Sequence, residues 1–215
     1  MKQRVKYEQN VRPYEHGREM CFMSHAPRKS NQLEQILQSA YGCIASRGYA
    51  NVSMRDIADE AGVALSQITY HYKSKEGLLS AVIKRMMTEY LVEIEAQLER
   101  GATPQDRLSG VILYFDRLLA DTPGLIKLFF DFTSLSLWSA PIENQLRNLT
   151  EDLASLVERH VLRDVSEGSR LGFYDPKSVA RMLLGSILGA AMLAMTDPDG
   201  PSLPEVLRPM ELIIA

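Results

Sequence analysis

The 215-residue chain is 46% hydrophobic and 24% charged, a balance that supplies a packed core for one large domain or two small ones and excludes wholesale disorder. Its formal net charge of −3 excludes a uniformly basic nucleic-acid binder, but not a basic end on an acidic body, because binding follows local potential. Charge is in fact unevenly placed. Lys2, Arg4, Lys6, Arg12, Arg18, Arg28 and Lys29 face only Glu8, Glu15 and Glu19 at the start, whereas Glu89, Glu93, Glu95 and Glu99 follow later.

Residues 1–29 have no periodicity and are expected to form a flexible basic tail. Three readings of it stand open: a disordered tail, a DNA-contacting arm, or a mis-called start with Met23 as the true one. Met1–Met23 has no apolar core of a secretory signal. The most apolar run, Leu183–Met195, falls short of the ~20 residues that span a bilayer. A soluble, cytoplasmic protein without a membrane partner is the expectation. Cys21 and Cys43 have no metal-ligand spacing, and Cys43 sits in an apolar helix pattern as a buried thiol would. His16, His25, His71 and His160 share no ligand spacing either, so neither metal nor cofactor is expected.

Leu33, Ile36, Leu37, Ala40, Tyr41, Ile44 and Ala45 recur at three and four residues, predicting an amphipathic helix ended by Gly48. Ser53 with Asp56 three residues on resembles a capping box and opens a short helix from Met54 to about Ala61, broken by Gly62. A third helix follows, and Ser74 caps a fourth running to about Glu99. The second half is predicted helical over Gln105–Ala120, Gly124–Leu137, Ile142–Val165, Pro176 to about Met195, and a short Glu205–Ile214 interrupted by Pro209. No strand alternation is sustained, so the expected class is all-α.

The sharpest constellation is Ala58, Gly62 and Ile68. Two short helices crossing steeply need a small residue at the close approach, glycine where the turn adopts positive φ, and a branched apolar residue to seat the second helix. This is the spacing of a helix-turn-helix. The helix after the turn carries no charge from Ala64 to Tyr72. Its inner stripe is read as Ala64, Ile68 and Tyr72, leaving Ser66, Gln67, Thr69 and Tyr70 outward to hydrogen-bond base edges. Leu65 and the Thr69 methyl suit a thymine methyl. Lys73 and Lys75 stand where flanking phosphates would lie. An ordinary polar turn in a helical bundle is the competing reading.

The segment SMRDIADEAGVALSQITYHYKSKEGLLSAVI resembles the DNA-binding region of the TetR family of bacterial transcriptional regulators, over roughly residues 32–82. The resemblance implies an N-terminal three-helix helix-turn-helix domain (residues 30–76) joined by a long helix to a helical effector-binding and dimerisation domain (residues 77–215). It also implies a homodimer on a palindromic double-stranded DNA operator, released by a small-molecule effector. By position it assigns DNA contact to Ser53 and Arg55, base reading to Leu65, Ser66, Gln67 and Thr69, and backbone or groove-wall contact to Tyr70, His71 and Lys75. His71 has a second open reading, a hydrogen bond across the helices. The chain departs from the family at Ala64, where a Ser-type cap is usual, and at Thr69, where Tyr is usual.

In the second half, Leu149, Leu153, Leu156 and Val157 on one predicted helix, with Gly185 and Gly189 on the next, are expected at the dimer seam. Tyr114, Phe115, Phe129, Phe132 and Trp138 are expected to line a partly apolar effector pocket, with Asp116, Arg117 or Asp131 as polar groups. Core aromatics are the alternative. No phosphate-cradling Gly loop, metal cluster or nucleophile–base pair suggests an enzyme. An activator or effector-independent DNA organiser on the same fold, and a helical scaffold protein, remain as alternatives to the repressor.

Overall fold

A computed structural model describes residues 28–165, 170–197 and 199–214, and every regular element in them is helical. The expected tail and Cys21 lie outside the described residues, except that Arg28 and Lys29 already belong to the first helix. The N-terminal unit comprises α1 (Arg28–Arg47), α2 (Met54–Glu60) and α3 (Leu65–Tyr72), followed by the long α4 (Lys75–Arg100). Helix α1 buries Ile36, Ala40, Cys43 and Ile44, the three-and-four stripe anticipated from its periodicity. Cys43 is a free thiol in that stripe.

Helix α2 is fixed at its start by reciprocal bonding. The Asp56 amide donates to Ser53 Oγ at 3.2 Å, while the Ser53 amide and hydroxyl donate to Asp56 Oδ2 at 2.7 and 2.6 Å. Those donors hold the Asp56 carboxyl below its ordinary value, the Ser53 hydroxyl contributing most. A carboxyl with a lowered folded pKa stabilises above its unfolded value, and the contribution fades as pH falls through the folded one. Ser53→Ala should therefore lower the melting temperature by about 2–4 °C near neutrality. The deficit should shrink below pH ~4 as Asp56 protonates in the parent protein. Melting curves at pH 7 and pH 3 would check this, and an unchanged deficit would contradict it.

The second half contains α5 (Pro104–Asp121), α6 (Pro123–Ser136), α7 (Ala140–His160), α8 (Pro176–Thr196) and α9 (Leu203–Ile214). Helix α7 stops five residues before the expected Val165. The Arg107 guanidinium on α5 donates to the His160 carbonyl and to Asp164 Oδ2, both at 2.6 Å, and so takes up a terminal carbonyl that a longer helix would have used. The chain then makes a 3-10 turn over Leu162–Asp164. Conversely, α9 runs through Pro209. Leu203, Leu207, Met210 and Ile214 are buried, and packing against α5 and α8 outweighs the lost proline donor.

One buried cluster extends from Ile36 to Ile214, with α4 packed by α1 and α3 as well as by α5 and α7. Helix α8 is the exception to inward packing. It is long and apolar enough by composition to cross a membrane, with a mean hydropathy of 1.7 over 18 residues, because the helix extends beyond the run Leu183–Met195. Only 33% of that window is buried inside the chain. Met182, Met192 and Leu193 are exposed on its outer side, and a Cβ added at Gly185 or Gly189 would meet nothing within 4 Å. The face is flat, apolar and open.

The α7 residues behave otherwise. Leu149, Leu153, Leu156 and Val157, expected at the dimer seam, are all buried within their own chain. Their shared face is the one that α7 turns towards α4, α6 and α8, and its exposed positions are instead polar ones such as Asp152, Ser155 and Glu158.

Candidate nucleic-acid interface

Helices α2 and α3 enclose Ile57, Ala58, Ala61 and Ile68, each at most 2% exposed. Gly62 holds φ at +62° in the turn between them, as the spacing requires. The Val63 amide donates to the Ala58 carbonyl at 3.0 Å and closes that turn. The inner stripe of α3 differs from expectation by one residue. Ala64 is the extended N-cap and is exposed, whereas Leu65 is half-buried and packs on the core with Ile68 and Tyr72. Helical rotation begins only after the cap, which puts Leu65, three residues before Ile68, on the inner side. A thymine-methyl contact is thus open only to the exposed part of Leu65.

Ser66, Gln67, Thr69, Tyr70 and His71 are exposed together on the opposite side of α3. Arg55 is exposed on α2. Thr69 Oγ1 donates to the Leu65 carbonyl at 2.9 Å, leaving its lone pairs and methyl outward. Gln67 supplies only the reciprocal half of a capping box: its Oε1 accepts from the Ala64 amide at 3.2 Å, and α3 has no side-chain cap at Ala64. His71 lies on the surface with its ring edge-on to Tyr70 at 5.1 Å between centroids. Ser53 is exposed, but its hydroxyl is committed to Asp56.

The two lysines part company. Lys75, expected at a phosphate, donates its ammonium to the Tyr49 carbonyl, with Nζ 4.1 Å from the centre of the Tyr49 ring. Burial pulls its pKa down, opposed by Asp131 and then Asp56. In this structure Lys75 braces the 3-10 turn Tyr49–Asn51 against α4. Lys73 is exposed and lies 5.1 Å from the Tyr70 ring centre.

Lys73 also carries backbone strain at the end of α3. Its φ is +64° with ψ −45°, and the Ser74 amide donates across it to the Tyr72 carbonyl at 2.7 Å, forming a positive-φ γ-turn. The turn lets α4 begin against the end of α3. A Cβ at Gly77 would lie 2.2 Å from the Tyr72 carbonyl oxygen, so glycine is required there for contact rather than for φ. Lys73→Gly should stabilise the chain by roughly 1 kcal/mol by removing the Cβ penalty. Urea unfolding would measure it, and a destabilised variant would show that the turn is held by the lysine side chain.

Two residues of this junction were not expected as a pair. The Tyr49 amide donates to Asp131 Oδ2 on α6 at 2.8 Å, so α6 reaches the same turn that holds Lys75. Asp131 therefore sits at the joint between the halves and not among pocket aromatics. The sequence signal was only an isolated acid on an apolar helix.

The aromatics differ in their burial. Phe132 is fully buried core, Tyr114 and Phe115 are buried edge-on to each other, and Phe129 is half-buried. The Tyr114 hydroxyl donates to Glu93 at 2.5 Å, and burial first, then that bond, push its pKa up. Trp138 is 86% exposed, on the turn between α6 and α7. A groove of about 500 Å3 lies elsewhere, between α4 and α7, with Met87, Leu91 and Leu149 beside Lys84, Asn144 and Asn148. At its end Ser80 Oγ donates to Gln145 Oε1 at 2.5 Å, and Gln145 Nε2 donates to the Ser80 carbonyl at 2.8 Å.

The sequence model of bacterial regulatory proteins, tetR family, matches residues 36–82, the span from α1 into α4 whose helix-turn-helix geometry is described above. Over residues 36–82 the chain is similar to the TetR family. It is 25% identical over 162 residues to the fatty acid metabolism regulator protein of Bacillus subtilis, covering 74% of this chain and 81% of that one. The transcriptional repressor KstR2 of Mycolicibacterium smegmatis is 27% identical over 84 residues, 39% of this chain and 41% of its own. The crystal structure of the regulator FadR of Bacillus subtilis in complex with stearoyl-CoA superposes with a TM-score of 0.67 at 21% identity, over 84% and 96% of the two chains. The matched model describes bacterial regulatory proteins, and both named relatives are regulators.

Proposed function

We propose that this TetR-family regulator is a repressor that binds a palindromic operator as a homodimer and leaves it when a small-molecule effector binds. One observation carries the reading. The exposed face of α3 is uncharged yet bears Ser66, Gln67, Thr69 and Tyr70, groups that discriminate base edges when seated in a major groove. Residues 30–76 would contact DNA, and residues 77–215 would bind effector and dimerise. Among the described residues, Arg55 and Lys73 are exposed cations placed to reach phosphates. Lys75 would do so only by giving up Tyr49. Two half-sites ~34–36 Å apart would be met by two copies joined through the open face of α8.

For the effector, the α4–α7 groove is the better candidate than the aromatics of residues 113–138. It has the size of a small-molecule site and a half-apolar lining, and it lies on the helix that carries the reading unit. Relatives named for fatty acid metabolism, one of them crystallised with stearoyl-CoA, make a partly apolar effector reasonable. An effector that preferred α4 parted from α7 would shift the spacing of the two reading helices.

The test is footprinting on DNA flanking the protein's own gene across a salt series. A dimer-sized, sequence-specific footprint whose affinity falls with salt is expected. Loss of specific binding at every salt would sink the reading. A footprint that raises transcription instead would make the protein an activator.

A further inference from the structure

The capping defect at Ala64 bears on which base α3 reads. An alanine N-cap has no side-chain acceptor for the first amides of the helix, and only the reciprocal bond of a capping box forms, from the N-cap amide to the side chain of the third helical residue. A backbone N–H only donates, so the atom of Gln67 that meets the Ala64 amide at 3.2 Å must be the carbonyl oxygen. Gln32 Nε2 on α1 approaches the same oxygen at 3.5 Å, which reinforces that orientation. The carboxamide is planar, so its NH2 lies on the far side, towards the cleft of about 380 Å3 bounded by Gln32, Ser66, Tyr70 and His71. That NH2 has no acceptor among the described residues.

Glutamine normally reads adenine with both ends of its amide, accepting from N6 and donating to N7. Here the two lone pairs of the accepting end already face the Ala64 amide and Gln32 Nε2. We propose that Gln67 reads as a donor only and selects guanine, whose N7 and O6 present two acceptors and no donor in the major groove. This rests on the reading of α3 as the base-contacting helix. To read adenine in the usual way, Gln67 would have to release the Ala64 amide and leave it unpaired beside DNA. That penalty translates into a tenfold to hundredfold preference for guanine over adenine.

The experiment is selection of double-stranded DNA from a randomised library by the intact protein, repeated with Gln67→Glu and Gln67→Ala. Glutamate still accepts from the Ala64 amide and suits a helix N-terminus, but it offers no donor. Gln67→Glu should keep the parent melting temperature, while one base pair per half-site loses its guanine preference or turns to cytosine, whose N4 donates. On the selected parent duplex, 7-deazaguanine or adenine at that base pair should weaken parent binding roughly tenfold or more and leave Gln67→Ala binding unaffected. Enrichment of adenine at the Gln67-dependent base pair, or an unaltered consensus with Gln67→Glu, would overturn the proposal and leave the regulator reading standing. Enrichment of no sequence by the parent protein would overturn that reading itself.

Discussion

Gly189→Arg is expected to yield a folded monomer that binds a two-half-site operator 10²- to 10⁴-fold more weakly, because linking two binding modules raises affinity by about that factor. A Cβ at Gly189 meets nothing within 4 Å, so arginine has room within the chain, and it replaces a poor helix former with a better one. The same position lies amid exposed Met182, Gly185, Met192 and Leu193, where a close helix–helix contact would have to bury a guanidinium without a partner. An exposed face of this apolar character calls for a covering surface. Sedimentation velocity would read the assembly, circular dichroism the fold, and titration on a full and a half operator the affinity. A variant that remains dimeric would move the seam away from α8. Equal loss on full and half operators would show damage to the reading unit instead.

Phe132→Ala should cost about 3–5 kcal/mol in unfolding free energy, whereas Trp138→Ala should change it by less than ~0.5 kcal/mol. Phe132 is 0% exposed in the core of α6, one residue after the Asp131 that holds the Tyr49 amide. Removing its ring leaves a cavity that packed helices fill only in part, and the disturbance falls where α6 meets the DNA-binding unit. Trp138, at 86% exposure, has few atoms to lose. Urea denaturation of both variants would decide the matter. Were the two residues walls of one pocket, their truncations would instead have similar, small effects on stability and would both weaken effector response.

The two expectations differ in how far the sequence could support them. Gly62, Ile68, Ser53 and Asp56 stand within a few residues of their partners, so their turn, seat and cap were legible from spacing, and the family followed from the same segment. The outward positions of α3 were legible for the same reason, except at its first turn. There the distinction between Ala64 and Leu65 depends on which residue begins the helical rotation, and a periodic pattern is least informative at an element's end.

Apolar residues at helical spacing establish that a helix has a buried face, but not what buries it. That is why Leu149, Leu153, Leu156 and Val157 looked suited to a partner and are instead buried in their own chain, while the glycines of α8 face outward. The aromatics of α5 and α6 carried the same ambiguity between pocket and core. Lys75 was placed correctly along the chain, yet its ammonium went to Tyr49, a partner 26 residues away. By itself the sequence determined the all-α class, the helix-turn-helix and the uncharged outer face of α3, because each arises from contacts within a turn or two of chain. Only the tertiary structure decided the direction of α8's open face, the tie from Asp131 to Tyr49 and the approach of Gln32 to Gln67's carbonyl. Those depend on which groups meet in space, and helix periodicity carries no information about a partner on another element.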